Sequence, residues 1–378
     1  MRRLILLLAL FLAAPAGAET LRVATYNVDL SRDGPGLLLQ ELLAEPGPKA
    51  RAAIAAIRAA RPDVLVLQQF DHDLRGFALD AFVACLADGP QGVDYPHRFA
   101  PPVNAGVPSG RDLDGDGKAT GWGDGHGWGK FPGHGGIAIL SRLPIEAART
   151  FRAFPWQALP DARLPARADA KPFLPPEARL SSRAHWDVPV MLPDGSRFHV
   201  LTAHPTPPLF DGPEGRNRLR NADEIRFWSL YLDGVAFADD AGRVAPATAE
   251  PVVLLADLNL DPFDGAGEHA AIRALLAHPR LQDPEPSSDR ASKAAVEQGG
   301  ANAGQSGPPA LDTADWRDAP GPGNLRVDYV LPDASLRVLA AGVDWPEIPP
   351  GAPPEDTPAH GLVWADIQIG PLPHAALR

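Results

Sequence analysis

One cysteine in 378 residues, Cys85, excludes an intrachain disulfide in any compartment. It lies in the apolar stretch Ala81–Leu86, where a buried structural thiol is expected rather than a nucleophile. Long hydrophobic runs are also missing. The N-terminal run Leu4–Ala14 falls short of the roughly 20 residues that a membrane-crossing helix needs, and no later run is long enough. Set between Met1-Arg2-Arg3 and Pro15-Ala16-Gly17-Ala18, that run reads as an export leader with an Ala-x-Ala cleavage site. The mature chain is then expected to begin at Glu19 and to work outside the cytoplasm, in the periplasm or beyond. Positive charge is scarce as well: 35 Lys+Arg face 47 Asp+Glu, a net charge of −12. Losing Arg2 and Arg3 with the leader leaves 33 against 47, or −14. Such a surface repels polyanions.

Proline and glycine, in contrast, are abundant at 43 and 36 residues, so many loops are expected. Short apolar runs at Leu21–Val28, Asp63–Gln68, Gly136–Ser141, Trp186–Met191, Phe198–Ala203, Val252–Ala256, Val327–Leu331 and Leu362–Ile367 read as strands. Several are almost continuously apolar, which suits strands covered on both faces. Helical spacing marks Lys49–Ala60, where Ala53, Ile54, Ile57 and Ala60 share a face and Arg61-Pro62 ends the helix. Two more helices are expected over Asn217–Leu232 and Glu268–Ala277. The pattern fits one domain over 19–378 with irregular insertions near 104–134, 154–176 and 284–322, the last expected to be the most mobile.

Several strands finish on polar residues that a strand does not need: Asn27 and Asp29, Gln68-Gln69, His204, Asp257 and Asn259, Asp328, and His360 ahead of the last strand. Ligands gather at strand ends in α/β sheets, although a single Asp or Asn there is more often a turn former. Asp112, Asp114 and Asp116, with Gly117 in sixth place, match the opening of a calcium loop, but the twelfth place holds Gly123 with Asp124 next to it. The reading here is a structural Ca²⁺ site completed by a ligand from elsewhere; an acidic solvent loop is the alternative. Trp122, His126, Trp128 and His134 alternate with glycines, either anchoring that loop or walling a ligand. Arg183, His185, Arg216 and Asn217 are candidate phosphate ligands, with surface salt bridges as the competing account.

Taken in order, TYNV at 25–28, DVLVLQQF at 63–70, GGIAILSR at 135–142, LTAHP at 201–205, LLADLNLDP at 254–262, RVDYV at 326–330 and AHGLVW at 359–364 resemble the endonuclease/exonuclease/phosphatase superfamily. The middle of the chain is similar to a secreted bacterial branch of it, through YPHRFAPPVNAGVPSGRDLDGDG, RLSSRAHWDVPV and HPTPPLFDGPEGRN. The resemblance implies a deoxyribonuclease-I-like α/β fold: a four-layer sandwich of two packed, mostly antiparallel sheets flanked by helices. It also implies a hydrolytic site for phosphate esters that uses Mg²⁺ or Mn²⁺. Asn27, Asp29 and Gln69 would hold the metal. Asp257 and Asn259 would orient water and phosphate, His204 and His360 would serve the leaving group and the phosphoryl oxygens, and Asp328 would orient His204. A hard cation on oxygen ligands together with imidazoles is a sufficient kit for this chemistry.

Three positions depart from the family pattern. Gln69 stands where the family has a metal-binding Glu, Ala359 where it has the Asp of a terminal Asp-His pair, and Gly135 where the secreted branch has an aromatic residue. A neutral amide grips a hard ion less well than a carboxylate, and alanine cannot orient an imidazole. The leading expectation is an exported phosphodiesterase or phosphatase, weakened at these positions. An inactive phospho-ligand-binding protein on the same scaffold is the second reading, and a secreted nuclease the third. With a net charge of −14, a small phosphoester or a lipid head group is the expected substrate rather than nucleic acid.

Overall fold

The computed structural model describes residues 19–166, 173–317, 320–347, 353 and 356–369; the expected leader lies outside them. Fifteen strands and six helices occur among the described residues. The larger sheet contains β1 (Glu19–Leu30), β2 (Val64–Phe70), β3 (His97–Phe99), β4 (Gly136–Ser141), β14 (Arg337–Asp344) and β15 (Leu362–Ile369), in the order β14-β15-β1-β2-β4-β3. The second contains β5 (Arg149–Thr150), β6 (His185–Met191), β7 (Arg197–Ala203), β10 (Val252–Asp257) and β13 (Asp328–Pro332), in the order β13-β10-β7-β6-β5. Only β1–β2 and β7–β10 pair in parallel within them. Two-stranded ribbons are formed by β8 (Phe237–Ala238) with β9 (Val244–Ala245), and by β11 (Ala314–Asp315) with β12 (Asn324–Leu325).

Alternation of side chains along each strand builds the layers. Leu21 and Val23 of β1, Val64 and Val66 of β2, and Val363, Ala365 and Ile367 of β15 meet Trp186, Val188, Val200, Val253, Leu255 and Val330 from the other sheet in one core. The opposite parity of the first sheet, Ala24, Tyr26, Val28, Leu65 and Leu67, packs on α1 (Leu37–Ala44), α2 (Pro48–Ala60) and α3 (Phe77–Ala87). That of the second, Leu201, Ala203, Leu254, Ala256, Tyr329 and Leu331, packs on α4 (Arg216–Leu232) and α5 (His269–Leu276). The four-layer sandwich expected from the sequence is the one observed.

Within the segment 284–322, expected to be irregular, the chain forms α6 (Asp289–Gln298), whose first turn is capped by the Ser288 hydroxyl accepting from Arg290 and Ala291 N–H. Helices α1 and α3 and the edge strand β14 are additions to the sequence reading. Cys85 is only partly buried and lies near Leu42 of α1; burial pushes its thiol pKa up.

On the helix side of the second sheet, His199 lies between Asp187 (2.5 Å) and Glu250 (2.9 Å). Tyr231 donates to the other Asp187 oxygen at 2.5 Å, and Arg149 donates to the Tyr231 hydroxyl. Burial opposes charge on the imidazole, but the two carboxylates outweigh it and raise the pKa above 6.5. A group whose folded pKa is raised stabilises fully below its unfolded value and loses that contribution as pH climbs through the folded one. The stability gap between wild type and His199→Gln, measured by urea denaturation, should therefore be largest below about pH 6.5 and shrink in alkaline buffer. A gap independent of pH would show that His199 is not charged in the fold.

Candidate functional site

The parity that fills the inter-sheet core also delivers polar side chains to one end of it. Continuing Val23 by twos leads to Thr25 and Asn27, Val64 and Val66 lead to Gln68, Val253 and Leu255 lead to Asp257, Val200 leads to Thr202 and His204, and stepping back from Val330 reaches Asp328. All are buried. Gln68 donates to the Thr25 hydroxyl at 2.7 Å and closes the apolar layer. Just beyond, Asp29, Gln69 and Asn259 each take a left-handed backbone, φ +48°, +54° and +52°. Non-glycine residues adopt that region at a cost and cluster at functional sites.

Asp257 is the centre of the cluster. Its Oδ2 accepts from Asn27 Nδ2 at 2.8 Å and lies 3.4 Å from His204 Nε2, while Oδ1 accepts from the Asn259 N–H at 2.9 Å. Burial alone would raise its pKa; His204, His360 and Asn27 reverse that and keep it low. Burial lowers the pKa of His204 below its ordinary value, so a neutral ring donates Nε2–H toward Asp257 and leaves Nδ1 buried and unpartnered. Asn259 donates its amide to Pro205 O, tying the β10 end to the loop after β7.

Asp328 serves His360 rather than His204: Oδ2 accepts from His360 Nδ1 at 2.8 Å and from the Thr313 hydroxyl at 2.8 Å. Thr313 in turn accepts from Val327 and Asp328 N–H. Burial disfavours an imidazolium, but Asp328 outweighs it, and the pKa of His360 rises to about 9. Trp316 packs edge-on against the ring at 5.2 Å, and Asp315 N–H donates to Ala359 O. Ala359 therefore does not leave His360 unsupported; Asp328, Trp316 and the β11 backbone hold it.

Arg183 lies in the same end of the sandwich and is 7 % exposed. Its Nε donates to Gly135 O at 3.0 Å; its terminal nitrogens bond to no group among the described residues. Burial lowers its pKa to about 10, offset by Glu224 and Asp257, so it stays a cation at neutral pH. Gln69 Oε1 is buried without a partner. Gly135, at φ +53°, separates the two: a Cβ there would overlap Gln69 Oε1 and sit 3.8 Å from Arg183 Nη2. Asp71 fixes this corner by accepting from Gly135 N–H and Arg32 N–H, both at 2.8 Å.

The loops are anchored by one polar face of α4. Glu224 accepts from Ser182 N–H and hydroxyl and from Thr206 N–H, next to Arg183 and close to His204. Arg220 donates to Leu180, Ser181 and Arg179 carbonyls, and Asn221 to Thr206 and Leu258 carbonyls. Their spacing at 220, 221 and 224 was the available signal, and it is easily read as a solvated helix face.

Other candidates fall elsewhere. Asp29 forms an ion pair with Lys49, which occupies the carboxylate proposed for metal. His185 is a core residue: Nδ1 accepts from Ser181 Oγ, Nε2 donates to Glu224 O, and the ring packs on Phe227 and Trp228. Arg216 holds the acidic loop through Leu113 O, and Asn217 caps its own helix entry through Asp211 and Leu209. Both nitrogens of the His185 ring are used within the core, whereas Arg216 spends only Nη1 on the loop. Asp112, Asp114 and Asp116 do converge, with one oxygen of each within 4.8 Å of the others. Trp122 and Trp128 are half exposed and reach His134 through a chain of edge-on ring contacts, so they do not anchor the loop in the core.

The sequence model described as Endonuclease/Exonuclease/phosphatase family matches residues 24–358. The chain belongs to this family. Among solved structures, the chain is similar to an endonuclease/exonuclease/phosphatase from Beutenbergia cavernae DSM 12333, 18% identical over 94% of this chain and 73% of that one, with a TM-score of 0.49. Sphingomyelinase C from Streptomyces griseocarneus is 21% identical over 92% and 99%, with a TM-score of 0.48. The human Nocturnin catalytic domain is 15% identical over 93% and 97%, at 0.45. Among curated proteins no sequence match is found. Membership accounts for the order of the motifs along this chain; the geometry of the polar cluster rests on the contacts above.

Gly135→Ala tests the corner where Gln69 and Arg183 meet. The forced backbone and the overlap with Gln69 should destabilise the fold by about 1–3 kcal/mol in urea denaturation. A change under roughly 0.5 kcal/mol, the range of an ordinary surface substitution, would mean that this corner is not tightly set.

Proposed function

We propose that the chain is an exported hydrolase of phosphate esters. The observation that carries the reading is the meeting of Asp257 with Asn27, His204 and the Asn259 N–H beside the Asp328–His360 pair. Export rests on the leader-like pattern of Met1–Ala18.

Ester hydrolysis delivers a water in line to phosphorus and moves one of its protons toward the leaving oxygen. Asp257, kept ionised by its donors, and the free Nδ1 of His204 are the bases available for that proton. His360, held protonated by Asp328, presents Nε2, which has no partner among the described residues, to a phosphoryl oxygen.

Enzymes of the family use divalent metals, and Mg²⁺ or Mn²⁺ is the expected ion. The donor set here does not fit one. Asp29 is paired with Lys49, Asp257 accepts from Asn27 and the Asn259 N–H and faces His204 at 3.4 Å, and Asp328 Oδ2 is taken by His360 and Thr313. One ligand atom from each of Asp257, Asp328 and His360 lies within 4.8 Å of the others, but Asp328 Oδ2 is bonded to His360 Nδ1, which leaves Asp328 Oδ1 as the one carboxylate oxygen of the trio that is buried without a partner. The uncommitted oxygen at the expected metal position is the neutral Gln69 Oε1, with a guanidinium close by. Mg²⁺ ordinarily takes one or two carboxylates.

Turnover of bis(4-nitrophenyl) phosphate by the mature chain, in EDTA and with Mg²⁺ or Mn²⁺, tests the reading. Wild type should hydrolyse it, and Asp257→Asn and His360→Ala should each lose roughly 10²-fold or more. A folded wild type that is inert in every condition would sink the hydrolase and leave a phospho-ligand-binding protein, the reading favoured by the neutral Gln69.

The acidic loop supports a structural Ca²⁺ through its converging carboxylates and through Asp124, buried beside it with Oδ1 accepting from Leu113 N–H and Oδ2 unpartnered. Added Ca²⁺ should raise the melting temperature of wild type but not of Asp114→Ala. An equal response in both would remove the site.

A further inference from the structure

Accepting this end of the sandwich as a phosphoester site, we propose that Arg183 replaces the divalent ion as the principal cation on the phosphoryl group, so that phosphate binds here without metal. The buried guanidinium spends only Nε on the described residues, at Gly135 O, and no carboxylate among them forms an ion pair with it. Buried charges are normally paired, and a guanidinium presents its terminal N–H groups as a fork suited to two phosphate oxygens.

Two of the three departures from the family pattern keep that fork free. An acid at position 69 would sit in the same small cradle as Arg183 Nη2 and claim it as a salt bridge; the neutral amide of Gln69 does not. Gly135 leaves the space between them open, because any side chain there would overlap Gln69 Oε1. Glu224, the nearest buried acid on α4, is already satisfied by Ser182 and Thr206 and makes no ion pair with the guanidinium. His360 contributes a second cationic N–H, and neither cation requires an ion from solution.

Calorimetric titration of the mature protein with inorganic phosphate in EDTA tests the proposal separately from turnover. Wild type should bind, and added Mg²⁺ should leave the affinity unchanged. Arg183→Met should weaken binding by roughly tenfold or more, and Arg183→Lys, with a point charge but no fork, should fall between. Gln69→Glu should weaken phosphate binding in EDTA by pairing with Arg183. Binding that appears only with Mg²⁺ overturns the proposal. So does an Arg183→Met protein with wild-type circular dichroism and wild-type affinity; should that variant not fold, unchanged affinity in Arg183→Lys decides the matter the same way. Metal-free, Arg183-dependent binding without turnover of any ester supports the anion site and removes only the hydrolase reading. Turnover and phosphate binding that both demand Mg²⁺ do the reverse.

Discussion

A carboxylate at the end of an otherwise apolar strand must be met by donors or give up its charge, and Asp257 imposes that condition on the whole end of the sandwich. Its donors come from three separate places in the chain: Asn27 from the first sheet, His204 from the next strand of its own sheet, and the Asn259 N–H from a left-handed turn directly after it. Strand parity positions the Asn27 and His204 side chains, so a one-residue slip of β1 or β7 would turn Asn27 or His204 away from Asp257 and move Val23 or Val200 out of the inter-sheet core to the helix-facing side. The apolar core and the polar cluster thus specify the same registers. The long apolar strands are the reason the cluster can be so well buried.

Holding the loops is a task for α4, which buries Arg220, Asn221 and Glu224 on the side that faces the second sheet. Those residues are not stabilising in the manner of a hydrophobic face. Burying them is tolerable because each donor or acceptor finds a loop carbonyl or N–H, and the loops so gripped are those bearing Arg183, His204 and Asn259. A helix doing this reads from sequence as a charged solvent face. The arginines at its start could be recognised as anion ligands only by supposing an open N-terminus; in the fold, Arg216 faces the acidic loop and Asn217 closes on Asp211.

Strand positions and the residues at their ends were legible because both follow a two-residue period, and fully covered strands leave continuous apolar runs. The edge strand β14 lacked that signature: most of its residues are exposed or half-exposed, so selection for apolarity on either face is weak. The pairing of histidines with acids was not legible either. Asp328 and Asp257 differ by the strand that carries them, and only the register of β10 against β13, which sets Asp257 opposite Asp328, decides that His360 goes to one and His204 to the other. Thr313 and Trp316, which secure His360, come from a segment with no periodicity at all, and a Pro- and Gly-rich loop in sequence can still fold into a capped helix and a ribbon.

The substitutions at 69, 135 and 359 look from sequence like separate losses, and in three dimensions they are not equivalent. Ala359 is neutralised by the independent support of His360. Gln69 and Gly135 are linked, since a side chain at 135 would displace the Gln69 amide, and both border the same guanidinium. Burying Arg183 without a paired carboxylate carries a desolvation cost, visible in its lowered pKa, that Glu224 and Asp257 offset only in part. An unpaired buried cation in a chain of net charge −12 is therefore a feature that folding alone would remove, most simply by restoring an acid at position 69. Its retention, with a neutral residue at the one place where an acid would quench it, points to an anion arriving from outside as the missing partner.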